Sequence, residues 1–259
     1  MLNKQGFSEY GGTGCAKEYF ELNSNGQFRP QFDVYGPVTL PNNREYYGGN
    51  DERGDDKHAS EMVSHAVQIL DPDVDFTRYD MSSDGEVDNV YVIYAGQGEA
   101  TYGGPDTVWP HSYDLLKDMV FVRVDGLYVN HYACCNEWLK DEPDGVGTFI
   151  HEFSHVLGLP DLYATIGARL SATPGNWSVL DYGPYNNGGH TPPNYSAYER
   201  YAMGWVEPEI LSAPKNLNLL NLSESNQVAI IPVEGNENEF FLIENRSREI
   251  GTNISPVTA

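Results

Sequence analysis

The chain has 259 residues, 40% of them hydrophobic and 20% charged, a balance that fits a folded globular protein and excludes a disordered one. Acidic residues outnumber basic ones 38 to 15, for a formal net charge of -23, which excludes nucleic acid and anionic membrane surfaces as partners because no cationic surplus exists to meet their phosphates. No stretch approaches the ~18 to 20 apolar residues of a membrane span, and the opening MLNKQGFSEYGG lacks the charged-then-apolar pattern of a signal peptide.

In chain order, the spacing of apolar residues predicts a first helix over 14–22 with Thr13 as its cap, ended by Asn23-Ser24-Asn25-Gly26. Residues 32–36 read as a short strand running into the Pro37 turn, and 42–56 as a polar surface loop. A second helix is expected over 57–70, with Met62, Val63, Ala66, Val67, Ile69 and Leu70 on its buried side and with His58 and His65 as solvated side chains. Residues 90–95 are apolar and β-branched, the pattern of a strand central in a sheet, and 127–132 suggest another strand. Cys15, Cys134 and Cys135, an odd number with two adjacent, suit buried free thiols better than a disulfide framework.

The stretch before the 90–95 strand carries oxygen-bearing side chains at Asp80, Ser82, Asp84, Glu86 and Asp88, with Gly85 in sixth place, as an EF-hand-type calcium loop does. Tyr91 stands where the bidentate Glu belongs, so a complete EF-hand is excluded. Two alternatives remain, a calcium loop tying this turn and an acidic turn with no ion.

A third helix is expected over 148–157, ended by Gly158 in a left-handed cap and by Pro160. Within it, His151 and His155 lie one turn apart on one face, so both imidazoles can meet one zinc. Glu152 stands beside them as a general base for water, and Asp161 can fold back after Gly158 as a third ligand, leaving one position open for chemistry. Ser154 is expected to be a packed or solvated helix residue, since direct water attack needs no nucleophilic side chain. Residues 171–196 read as loop and 198–205 as a last helix. Two strand-like runs, 228–233 and 240–244, mark β-rich character after Pro208, and the chain stops soon afterwards, as a piece of a larger protein would.

The segment H-E-F-S-H-V-L-G-L-P-D-L-Y, residues 151–163, resembles the active-site helix of the immune inhibitor A family of secreted metallopeptidases, metzincin relatives with Asp where most metzincins have a third His. Thr13-Gly14-Cys15 through Tyr19-Phe20, Phe32-Asp33-Val34-Tyr35-Gly36-Pro37, Asp84-Gly85-Glu86-Val87-Asp88, Trp109-Pro110-His111-Ser112 and Met203-Gly204-Trp205 are similar to family stretches in the same order. The resemblance implies an α+β, metzincin-like fold. A catalytic domain over 1–206 would divide into an upper lobe, with a twisted sheet and the active-site helix, to about 157 and a loop-rich lower lobe over 158–206. A β-rich extension would follow over 207–259. It also implies a tight turn beneath the metal at Trp177-Ser178-Val179-Leu180-Asp181-Tyr182-Gly183, with Leu180 where Met is expected. Tyr182 then either steadies an oxyanion or packs as a loop aromatic. His111 is expected to be structural. The function implied is a secreted, monomeric zinc endopeptidase with protein or peptide substrates. The alternative is a catalytically inactive relative serving as a calcium-stabilised surface binding or adhesion module.

Overall fold

A computed structural model describes residues 1–165 and 172–246 as a mixed α+β protein. In chain order the regular elements are α1 (Ala16–Asn23), α2 (Arg44–Gly48), α3 (Ala59–Leu70), β1 (Glu86–Val87), β2 (Val90–Gln97), β3 (His111–Asp114), β4 (Val122–Val124), β5 (Leu127–Val129), β6 (His131–Leu139) and β7 (Glu142–Pro143). They continue with α4 (Val146–Val156), α5 (Ala197–Ala202), β8 (Glu209–Ile210), β9 (Ala229–Val233) and β10 (Asn236–Ile243). The chain separates into two compact units, Asp33–Asp144 and a second made of Met1–Phe32 with everything from Gly145 on.

The Asp33–Asp144 unit contains α2, α3 and the first seven strands. β6 is the spine of its larger sheet, parallel to β2 on one side and antiparallel to β3 on the other, with β7 also pairing to it. β2 is therefore an edge strand, not the central one its apolar run suggested. Burial follows the pairing: residues 132–136 of β6 are all buried, whereas β2 is half-exposed along its length. A second sheet, β1-β5-β4, shares a core with α3 in which Met62, Val63, Val67, Val87, Val124 and Val129 meet. Residues 32–36 form no strand, and α2 occupies part of the expected 42–56 loop, capped by the Asn43 side chain. His58 and His65 are bonded rather than solvated, the first to the Tyr46 carbonyl at 2.7 Å and the second to the Tyr47 hydroxyl at 2.9 Å.

The second unit is built on aromatic packing. Phe149 and Phe153 of α4 stack at 5.9 Å and meet Phe32 edge-on, while Phe153 also contacts Phe20 of α1. Helix α1 is capped by Cys15, not by Thr13. The Cys15 thiol accepts from the Glu18 amide and the Glu18 carboxylate accepts from the Cys15 amide, closing a capping box, while the Thr13 hydroxyl donates to the His190 carbonyl. The strands after Pro208 form a sheet ordered β10-β9-β8, and Leu222, Val228 and Leu242 share a small core there with Ala197 of α5. All three cysteines are buried thiols outside any disulfide. Among the described residues no helix is long and apolar enough to cross a membrane.

Two features fix α4. Its first turn touches the 184–189 loop backbone to backbone, with the Gly147 amide donating to the Gly189 carbonyl at 2.9 Å. A Cβ at Gly147 would fall 2.0 Å from the Pro184 carbonyl oxygen, so no larger residue fits that approach. At the other end Gly158 adopts φ 95°, and the Leu159 amide reaches back to the Ser154 carbonyl at 3.0 Å, the left-handed termination expected at that glycine.

Candidate metal centre

Because α4 stops at Val156 and the chain reverses through Gly158, Asp161 returns to the two histidines. The His151 and His155 Nε2 atoms lie 3.2 Å apart, and Asp161 Oδ1 lies 3.5 Å from the first and 3.3 Å from the second. Among the described residues these three form the one group of His, Cys, Asp or Glu whose ligand atoms converge as a metal would require.

The orientation of each imidazole is set from behind. His151 Nδ1 donates to the Val179 carbonyl at 2.7 Å and His155 Nδ1 donates to the Leu159 carbonyl at 2.7 Å. A carbonyl only accepts, so both Nδ1 atoms carry the proton and both neutral rings present a bare Nε2 lone pair to the same point. Asp161 Oδ1 is buried with no hydrogen-bond donor and points at that place too. Three lone pairs within 3.5 Å of one another need a positive charge between them. Two imidazoles and one carboxylate are a normal catalytic zinc set, so the residues fit the metal.

The same geometry sets proton affinities. Burial, followed by the neighbouring His155, holds His151 below the ordinary histidine range. Burial also opposes charge on His155, but the Asp161 carboxylate and the Leu159 carbonyl outweigh it and raise that histidine. Asp161 is opposed by burial as well, yet His155, His151 and the Tyr163 hydroxyl hold its carboxyl below the usual range. The cluster thus favours one shared positive charge, which a metal supplies in greater measure than a proton.

Glu152 is 4% exposed, with Oε1 3.9 Å from His151 Nε2, beside the ligands without joining their convergence. Ser154 is fully buried, donating to the Ile150 carbonyl and 2.5 Å from the Tyr195 hydroxyl, so the packed alternative describes it. Leu180 is fully buried in the turn expected beneath the metal, and its carbonyl accepts from the Leu162 amide at 2.8 Å. Tyr182 is 64% exposed. The tyrosine in contact with the ligands is Tyr163, whose hydroxyl bonds Asp161 and which feels the Glu152 charge as well. Tyr163 closes the thirteen-residue family stretch, and that position was the available signal.

The other expected sites lie in the Asp33–Asp144 unit. In the acidic turn, Asp80 accepts from the Asp84 and Gly85 amides at 3.1 Å each, Asp84 accepts from the Glu86 amide at 3.0 Å, and Asp88 accepts from the Met81 amide at 3.2 Å. Ser82 reaches Asp80 at 3.5 Å. His111 is held by the Trp109 carbonyl at 2.6 Å and the Tyr132 hydroxyl at 2.8 Å.

Comparison with known proteins agrees with the geometry. The chain is 25% identical to the pre-pro-metalloprotease PrtV of Vibrio cholerae serotype O1 over an alignment covering 97% of this chain and 33% of that protein. It is 27% identical to immune inhibitor A of Bacillus thuringiensis subsp. alesti, over 70% of this chain and 30% of that protein. The chain therefore spans about a third of the length of these relatives. Residues 1–207 match the immune inhibitor A peptidase M6 catalytic domain, and the chain belongs to that family of metallopeptidases.

Proposed function

We propose that this chain is the catalytic domain of a secreted zinc-dependent endopeptidase that hydrolyses peptide bonds of extracellular proteins, with Glu152 as general base. The observation that carries the proposal is the convergence of His151 Nε2, His155 Nε2 and the donorless Asp161 Oδ1, with buried Glu152 alongside. Held by those three residues, zinc would supply Lewis acidity towards a water and a substrate carbonyl. Glu152 takes the proton from the attacking water and returns it to the leaving amine. Asp161 and the two Nδ1–H bonds hold the ligand atoms in register. Tyr182 and Tyr163 both stand as hydroxyls for the oxyanion, and the contact of Tyr163 with Asp161 favours Tyr163.

The proposal includes a metzincin-like division at about residue 157, a separate β-rich extension over 207–259, a monomeric state, and calcium at Asp80, Ser82, Asp84, Glu86 and Asp88. The intact ligand set and Glu152 speak against an inactive binding module.

The test is cleavage of an unfolded protein together with metal analysis. Wild type should lose activity to a chelator and regain it with zinc. Glu152→Ala should keep its zinc while cleavage falls by ~100- to 10,000-fold. Near wild-type cleavage by Glu152→Ala would sink the assignment.

A further inference from the structure

The two imidazoles are aimed by supports of different reach. The Leu159 carbonyl behind His155 belongs to the turn that ends the same helix, so α4 and Gly158 supply it unaided. The Val179 carbonyl behind His151 is 28 residues away, in a turn that must be held by something else.

That turn is held at Ser178, which is fully buried. The Ser178 hydroxyl donates to Glu199 Oε1 at 2.6 Å and accepts from the Leu180 amide at 3.0 Å, which fixes the path of the chain on both sides of Val179. The Ser178 carbonyl accepts from the Gly183 amide at 2.9 Å and closes the turn. The turn then offers two carbonyls to the metal centre. Val179 aims at His151, and Leu180 takes the amide of Leu162, the residue after Asp161. One anchored turn thus braces two of the three ligands.

Glu199 lies in α5 and is fully buried. Its Oε2 accepts from the Ser196 amide, and Ser196 accepts from the Glu199 amide, a capping box that accounts for one carboxylate oxygen. The cap leaves Oε1 unassigned, and in most capping boxes that oxygen can remain in water. Here it is buried against Ser178, a costly placement that the helix start does not require.

We propose that Glu199, acting through the Ser178 hydroxyl, is a positioning residue of the metal centre that holds the 178–180 turn so its carbonyls orient His151 and brace the segment carrying Asp161. This rests on the metal reading of the three ligands. It adds a layer that neither the H-E-x-x-H spacing nor the family match assigns.

The experiment measures zinc affinity by competition with a chromophoric chelator in wild type, Ser178→Ala, Glu199→Ala and Glu199→Gln. The cobalt(II) absorption spectrum and the melting temperature in chelator are recorded beside it. Ser178→Ala and Glu199→Ala should weaken zinc binding by ~10- to 100-fold, the effect of losing an outer partner of a metal ligand, and shift the cobalt bands. Glu199→Gln keeps its one oxygen for the Ser196 amide and has an NH2 that can donate to the Ser178 hydroxyl, so it should stay closer to wild type than Glu199→Ala. Folded Ser178→Ala and Glu199→Ala proteins that melt lower yet bind zinc and cobalt as wild type does would overturn the proposal, leaving Glu199 a capping residue. Should Glu199→Ala fail to fold, Ser178→Ala decides alone, because it leaves the capping box whole. Wild type that binds no zinc would overturn the metal reading itself and this inference with it.

Discussion

Two turns of this protein carry carboxylates at metal-ligand spacing, and they differ in what those carboxylates already hold. In the turn after α4, Asp161 Oδ1 is buried, receives no donor and faces two imidazole lone pairs. In the 80–88 turn, the carboxylates of Asp80, Asp84 and Asp88 each accept backbone amides of their own loop. In the second arrangement loop amides already engage these carboxylates, so calcium would add to bonds the turn has made. In the first, no donor engages Asp161 Oδ1, and a cation is what the proposed site would add. Spacing makes the two turns look alike, but the electrostatic need for a cation separates them.

The largest effect expected from this contrast is at Asp161. Asp161→Ala should lower zinc affinity by more than the ~10- to 100-fold typical of an outer partner, whereas Asp161→His should keep metal with altered activity. Chelator competition measures both, and an Asp161→Ala protein with wild-type affinity would remove the distinction between the turns. An intermediate effect is expected at Gly147, which bears on the first turn through its helix. Gly147→Ala forces a Cβ against the Pro184 carbonyl and should destabilise the protein by ~1 to 3 kcal/mol, read by denaturant melting. Unchanged stability would mean that α4 is not locked to the 184–189 loop. The smallest effect concerns the 80–88 turn. Millimolar calcium should raise the melting temperature modestly by mass action, and Asp84→Ala should remove that rise. No rise in wild type would leave the turn self-sufficient and sharpen the contrast with Asp161.

Much of the centre was legible because it is local. His151, Glu152 and His155 share one helix, and Gly158 and Pro160 announce where it ends, so the return of Asp161 followed from punctuation in the sequence. What was not legible depends on distant partners. The run at 90–95 looks central because it is apolar, but centrality belongs to β6, whose Cys134, Cys135 and Asn136 give a weaker strand pattern. Thr13 is a better cap by residue type than Cys15, yet Glu18 stands three residues after Cys15 and completes a box only there. Analogy with a turn names Tyr182, with loop packing as the equal alternative, but does not name Tyr163, which the chain reversal at Gly158 brings to Asp161. Ser178 and Glu199, 21 residues apart, carry no mark of their hydrogen bond in the sequence.

The bond that orients His151 ends on a main-chain oxygen, and every amino acid has one. Val179 itself is fully buried, so its side chain is limited in size and polarity but not in chemistry. In a saturation scan of the turn, position 179 should accept other apolar residues of similar volume with the metal retained. Tolerance should collapse one position earlier, at Ser178, whose hydroxyl sets the path of the chain. A map of essential residues would therefore mark the neighbour of the contacting atom and pass over the residue that owns it.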